Sequence, residues 1–577
     1  MACTRVEERV FSAFGLLPST SIRFESCYSI ANGGVMLLLP FLIECGLLSY
    51  SSYYDARRGY YTFDSFLITL SFFSLLRIKS LEQSKQYNPG EMGKLIGYDR
   101  IPEVRKLRGM LQELTRFGKS EDWGKSLSMK WIKEEEPELY YVDGHVQVYH
   151  GYLADLGKKY VSRQRLCLTG MTEFWVNSSQ GLPFFFITAE VNEKMIEMLE
   201  SEIIPRLLEL HTVSPEQQKQ MANNPNYPLF TLVFDREGYS PTLFEKLWDK
   251  YHIAVLTYRK NVKDEWEYTD FEEVKVDVGL GKTDMKLHEK ETVLNGYSMR
   301  EVRRLTTNGH QTSIITNNKI LSLTLIACYM FGRWVQENFF RYLRQDYAFD
   351  KIVQYAIDNI DKSFMVVNRE YSNIQYEIKR CREKLYRLKA NIYKYQQNVL
   401  KENELIKNDV KTTEKNPNWF QKTLELTEKA QLIELEISQL ITKRKDIKYK
   451  ISIEEMPENE RYTKLHQESK YLMNIIKMIC YRAETALANK LSPHFCRAED
   501  EIRTLVKAII HLTIDMIPDY ENSLLNITLY PLSNIRSINA LANIIDEVND
   551  TNTIYPGTNL MMKFKIATVE SAPSQEV

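Results

Sequence analysis

Apolar positions along the chain change period several times, and each change marks a region. Up to about residue 130 the spacing is helical, with two dense runs, Val35 to Leu48 (VMLLLPFLIECGLL) and Phe66 to Leu76. A bilayer span needs ~20 apolar residues, so both runs are expected to be buried helices of a soluble protein. From 131 to about 350, period-two and continuous apolar runs alternate with helical ones. Strands are expected at Leu139 to Tyr149, Arg165 to Val176, Pro183 to Val191, Pro228 to Asp235 and Ile253 to Tyr258. Helices are expected at Asn192 to His211 and Ser240 to Tyr251, which together give a mixed α/β sheet. Residues 261–316 turn short, charged and strand-like (VKVDV, QTSIITN), with an Asn308-Gly309 turn, and read as a β-rich insertion. Ile320 to about Ala356 reads as one long helix.

Beyond 367 the period becomes a heptad. Ile374, Ile378, Cys381, Leu385, Leu388, Ile392, Tyr395 and Val399 alternate steps of four and three. Leu426, Ile433, Ile437, Leu440, Ile447 and Ile451 form a second run after a polar break at Asn416-Pro417-Asn418. An antiparallel coiled-coil hairpin over 367–455 follows, as a packing arm or a dimerisation element. Residues 457–577 begin helical and close with strand, helix and strand at Leu524 to Tyr530, Ser533 to Val548 and Leu560 to Ile566, a small α/β unit. The domains expected are therefore 1–130, 131–356, 367–455 and 457–577.

Composition narrows the function only a little. The net charge of −1 over 577 residues neither favours nor excludes nucleic acid, so DNA contact would need local basic surfaces. Eight cysteines without CxxC spacing read as reduced, mostly buried thiols. The start, MACTRVEERVFSAF, lacks a signal-peptide plan. One local basic surface lies in residues 88–114. There Pro89, Gly97 and Pro102 punctuate two short helices in the manner of a helix-turn-helix, and the second carries Arg105, Lys106 and Arg108. A solvated face of a helical bundle fits the same pattern.

Three acids stand out by setting. Asp143 lies within the first strand of the sheet, Asp235 ends a later strand, and Glu337 lies on the helix after the insertion. An aspartate at a strand's C-terminal end sits where α/β sheets bind ligands, and converging carboxylates suit hard divalent ions. Two such ions ~3.5–4 Å apart can activate an attacking oxygen and stabilise a leaving one. Arg333 and Arg344 are spaced at i−4 and i+7 from Glu337, where they can hold phosphates. Taken singly each acid has another reading: Asp235 as a helix cap, Asp143 as a turn residue, Glu337 as a paired helix residue. His145, His150 and His310 near these motifs read as structural or DNA-contacting rather than as metal ligands.

At these residues the sequence resembles bacterial insertion-sequence DDE transposases. The strings VDGHVQVYHG, LVFDREGYSPTLFEKL, LTYRK, GHQTSIITNN and RWVQENFFRYL are similar to one subgroup, and the similarity runs from about residue 60 onward. The second aspartate opens the DRE string Asp235-Arg236-Glu237. The family pattern Y-x2-R-x3-E-x6-K is matched by Tyr329, Arg333, Glu337 and Arg344, with one extra residue in the first gap and arginine for lysine. The resemblance implies a ribonuclease H-like catalytic domain carrying a β-strand insertion, with Asp143, Asp235 and Glu337 both catalytic and metal-binding. Two Mg2+ or Mn2+ ions are the implied cofactors. The implied partners are double-stranded transposon ends and target DNA, bound by a homodimer in a bacterial, nucleoid-associated setting. Tyr329, Arg333, Arg341, Arg344, Arg236, Arg105, Lys106 and Arg108 are the expected DNA contacts. The alternatives are a nuclease that cuts without joining and a non-catalytic DNA-binding descendant.

Overall fold

A computed structural model of the protein describes residues 4–17, 19–54, 59–148, 158–161, 166–277, 282–331, 334–347, 357–359, 365–407, 418–452, 455, 463–465, 467–495 and 499–567. The chain divides into two compact units, one of residues 1–151, 158–356 and 465–577, the other of 152–157 and 357–464.

The first unit is built on a large mixed sheet. Its centre holds β1 (Leu139–Val148), β2 (Leu166–Asn177), β3 (Pro183–Glu190), β4 (Phe230–Phe234) and β5 (Ile253–Tyr258). Their spatial order is β3–β2–β1–β4–β5. The β3–β2 and β2–β1 pairs are antiparallel, while β1–β4 and β4–β5 are parallel. Every residue of β4 is buried, as expected for a parallel strand covered on both faces. Four further strands, β6 (Glu272–Asp277), β7 (Lys282–Leu294), β8 (Tyr297–Leu305) and β9 (Gln311–Thr316), extend the sheet antiparallel from β5 in the order β9–β8–β7–β6. The charged insertion is thus a continuation of the same sheet. Gly309, at φ +78°, supplies the left-handed residue in the turn between β8 and β9.

The N-terminal region is helical and deeply packed. All but one residue of α1 (Phe63–Leu75) is buried, because its apolar residues run all round the helix. The Pro89 and Pro102 signals correspond to α2 (Pro89–Leu95) and α3 (Val104–Thr115). Between them Gly97 adopts φ +70° and Tyr98 N–H donates to Gly93 O at 2.9 Å, a glycine-ended helix. α3 buries Leu107, Met110 and Leu114 and leaves Arg105, Lys106 and Arg108 exposed. Within the stretch expected as one long helix from Ile320, the described residues form α4 (Leu323–Phe331) and α5 (Trp334–Tyr347).

The second unit contains α6 (Arg369–Lys407) and α7 (Asn418–Lys445). They run antiparallel: Glu370 faces Lys443 at 3.9 Å, and Lys389 pairs with Glu434 at 2.7 Å. Ile374, Ile378, Cys381, Ala430 and Ile437 are buried along the seam. The second heptad run overshoots, since Ile447 and Ile451 lie past the end of α7. Ile451 sits in a short strand opposite Val366.

The 1–130 and 457–577 regions, expected as separate domains, share one core. The long helix α8 (Gln467–Phe495) packs against α1, α3 and the Ser120–Glu135 helix, and α9 (Glu499–Ile510) packs against the 3-10 helix Gly33–Leu38. Strand Cys27–Ile30 joins β10 (Ile514–Asp519), β11 (Leu524–Leu529) and β12 (Met561–Ile566) in one sheet. Gly34 marks the closest approach. Its N–H donates to Leu512 O at 2.9 Å, and a Cβ there would lie 1.8 Å from Ile509 O. Gly34→Ala is therefore expected to lower unfolding free energy by about 1–3 kcal/mol, as overpacking does. Urea denaturation followed by tryptophan fluorescence checks this. No described helix is long and apolar enough to cross a membrane.

Candidate active site

The register of the sheet brings two of the three acids together. Tyr141 lies opposite Val233 and Val142 opposite Phe234 in the parallel β1–β4 pair. The next position along both strands is Asp143 on one and Asp235 on the other. Neighbouring strands are about 4.8 Å apart and residues in register share a face, so the register continued by one residue leads to the two aspartates. Both are half-buried. The Asp143 carboxylate accepts Gly144 N–H at 2.9 Å. Asp235 makes no side-chain cap, although a 3-10 turn (Arg236–Gly238) follows it. That answers the alternative reading of Asp235 as a helix cap. The turn is fixed through the backbone: Gly238 N–H and the Thr257 hydroxyl both donate to Asp235 O, at 3.1 and 3.2 Å. Gly238 is needed because a Cβ would lie 2.5 Å from the Phe234 ring.

The helices that follow the insertion run along the face of Asp143. α4 rests on its first half: the Tyr141 hydroxyl donates to Tyr329 O at 2.8 Å, and Ile326 and Met330 pack with Leu139 and Val233. α5 rests on its second half. The His145 and Phe340 rings stack at 5.2 Å, and Trp175, opposite Asp143 across β1–β2, lies 5.5 Å from Phe339. Asp143 lies between these two contact points on β1. Glu337 lies between Tyr329 and Phe340 in the chain, one helical turn before Phe340 on α5. Among the described side chains, to which that of Glu337 does not belong, no three His, Cys, Asp or Glu groups cluster as ligands for one ion.

Two buried charge networks hold α5 and β2 in place, and neither was visible in the sequence. Glu484 of α8 is fully buried and accepts from Arg77 at 2.8 Å, from Tyr347 at 2.5 Å and from Tyr342. Asp346 adds Arg77 at 3.5 Å and Lys507 at 2.8 Å. Thus Tyr342, Asp346 and Tyr347 fasten α5 to α8, α9 and the end of α1. Burial alone would raise the Glu484 carboxyl, but the charges of Arg77 and Arg503 and the two tyrosine hydroxyls outweigh it and hold it below the usual range. On β2, Glu173 is also fully buried and binds Gln147, Trp175 and Asn474 at 2.7, 3.1 and 3.2 Å, with Lys470 at 2.6 Å.

A family profile described as "Transposase protein" matches residues 1–568. The chain belongs to that transposase family. A comparison with curated proteins returns no match. Among solved structures the transposase is similar to the cryo-EM structure of a piggyBac transposase synaptic complex with hairpin DNA. Identity is 12% and the TM-score 0.25, over 54% of this chain and 64% of that one. The transposase therefore spans slightly less than two thirds of the length of that chain.

The other predicted residues of the transposase divide by exposure. Arg236 is exposed beside the Tyr258 ring at 5.6 Å, directly after Asp235. Arg341 is exposed on α5, while Arg344 is half-buried and donates to Phe340 O at 3.2 Å. Tyr329 is half-buried, and burial raises its hydroxyl pKa. Arg108 pairs with Glu82. Arg333 and His150 lie outside the described residues, and His310 is exposed in the β8–β9 turn. Arg303 is fully buried between Glu301, at 2.7 Å, and Asp264, at 2.6 Å, and Arg300 binds Glu289, Asn318 O and Leu321 O. Phe339 and Phe340 likewise belong to the core.

Proposed function

We propose that this is a DDE-type DNA transposase of the bacterial insertion-sequence kind, with a ribonuclease H-like catalytic domain in which Asp143, Asp235 and Glu337 hold two Mg2+ or Mn2+ ions. The observation that carries the reading is the register of β1 and β4, which sets Asp143 beside Asp235. Asp143 lies on the first strand of the large sheet, Asp235 at the end of the strand that pairs with it in parallel, and Glu337 on a helix after the β insertion, which supports the order that the resemblance implies. The donor set fits the metal, since half-buried carboxylates on adjacent strands repel one another unless a cation lies between them. Bound divalent ions supply activation of the attacking oxygen and stabilisation of the departing one.

The chain's own residues position the DNA. Arg236 follows one ligand directly, and Arg341 and Arg344 lie one and two turns past Glu337, where they hold backbone phosphates. In the first step a water oxygen bonds to phosphorus as the bond to O3′ breaks, leaving a 3′ hydroxyl and a 5′ phosphate. In the second, that hydroxyl bonds to a target phosphorus and displaces the target's own 3′ oxygen. The partners are transposon ends, target DNA and a second copy of the chain.

The test is a strand-transfer assay with pre-cut ends, taken from the DNA flanking the coding sequence, and Mg2+ or Mn2+. Joined product is expected. Nicking without joined product would make the protein a nuclease. Binding with neither product would make it a non-catalytic descendant.

A further inference from the structure

The second unit presents a helix face that catalysis at the three acids leaves unused. Between Tyr376 and Lys394, α6 carries seven Lys and Arg residues against two Glu. The seam residues Ile374, Ile378 and Cys381 fix which side is covered by α7. At 3.6 residues per turn the opposite side holds Tyr376, Lys379, Arg380, Tyr386, Arg387 and Lys394, with Glu383 as its sole acid and Tyr393 on its flank. Tyr376, Tyr386 and Tyr393 are 66%, 71% and 64% exposed. Among the described residues Lys379, Arg380, Arg387 and Lys394 have no carboxylate partner within ion-pair distance. Lys389, nearer the seam, does have one in Glu434.

A merely solvated helix face interleaves both signs at i,i+4 and keeps large aromatic rings covered. Here cations gather on one side with exposed tyrosines between them. We infer that this outer face of α6 is a docking surface for duplex DNA. The inference rests on DNA being the substrate, as proposed above. The lysines and arginines would contact phosphates, and the tyrosine hydroxyls would add hydrogen bonds to the backbone. The face extends about 27 Å at 1.5 Å per residue, close to one turn of B-form DNA. Such contacts carry no base specificity. They give the arm a sequence-independent grip, strong at low salt, on DNA either inside or outside the element.

The experiment measures fluorescence anisotropy of the full chain on a mixed-sequence duplex of about 30 base pairs, without divalent ions, across a salt series. The variants are Arg380→Gln/Arg387→Gln/Lys394→Gln and, separately, Glu383→Gln. The triple variant is expected to bind at least about tenfold more weakly near ~0.1 M salt, with the slope of log K against log salt reduced by about 2.7, or 0.9 for each lost contact. Glu383→Gln is expected to bind more tightly. All four positions are exposed, so helicity by circular dichroism should be unchanged. Wild-type affinity and slope in the triple variant would overturn this inference alone. An altered oligomeric state with an unaltered slope would assign the face to a second copy and overturn it as well. If the unmodified chain binds no duplex at all, the proposed function falls with it.

Discussion

Asp143→Ala, Asp235→Ala and Glu337→Ala are each expected to reduce DNA cleavage by at least about 10³-fold, equivalent to ~4 kcal/mol of transition-state stabilisation. Binding of transposon ends should survive. The two functions separate because different parts of the chain carry them. In the proposed reaction the acids would act on charge that develops only at the reacting phosphate. On the same proposal affinity would depend instead on cations distributed over other elements, such as the exposed Arg105, Lys106 and Arg108 on α3. Removing a carboxylate also removes a negative charge from beside DNA, so affinity is expected to stay level or rise. Paired gel-shift and cleavage assays in Mg2+ check this. Wild-type cleavage by any one variant would remove that residue from the site.

Glu484→Ala is expected to destabilise the first unit by about 3–5 kcal/mol, the usual cost of leaving a buried charge unpaired. Arg77 would lose its closest carboxylate, and Tyr342 and Tyr347 would lose their shared acceptor. Glu484→Gln keeps an acceptor oxygen and should cost less. The pH dependence has a definite sign. The folded pKa of Glu484 lies below its unfolded value of about 4.3. Its stabilisation is therefore complete above that value and is lost as pH falls through the lower, folded one. Denaturant titrations at neutral and acidic pH should show the wild type and Glu484→Gln converging in acid. Parallel curves at all pH values would mean that the network contributes no linked stability. Because α5 carries both Glu337 and the residues that bind Glu484, loosening the network should also lower cleavage in Glu484→Gln at a pH where the fold is intact.

What the sequence revealed followed from local rules. The run PLFTLVFD is apolar but for Thr231 and ends in an acid, which is how a fully buried parallel strand reads. Ser240 followed by Pro241 announces the helix that begins at Pro241, and the hydroxyl does accept Leu243 N–H at 3.4 Å. Long-range pairing was not legible. The Ile514–Asp519 strand, with Pro518 inside it, lacks a clean alternation, and its partner Cys27–Ile30 is nearly the whole chain away. Ile451 fits a heptad by spacing alone, yet chain direction changes before it. Glu484 looks like any helical glutamate. Its partners lie 142 and 407 residues away in sequence, and no local pattern reports them. For Asp143 and Asp235 the sequence supplied the residue types and the strands, while the register supplied their adjacency.

The pairing of Cys27–Ile30 with Ile514–Asp519 also sets the timing of biosynthesis. A ribosome adding about 5–20 residues per second needs roughly 25–100 s between the two strands. During that interval the Gly33–Leu38 segment, every residue of which is buried in the finished protein, has emerged while α9 has not yet been made. The nascent N-terminus must be sheltered by chaperones or by transient contacts of its own, and a chain released early cannot complete its core. Full-length synthesis is thus a folding checkpoint: products cut short before α9 should be cleared by proteolysis rather than persist as DNA-binding fragments.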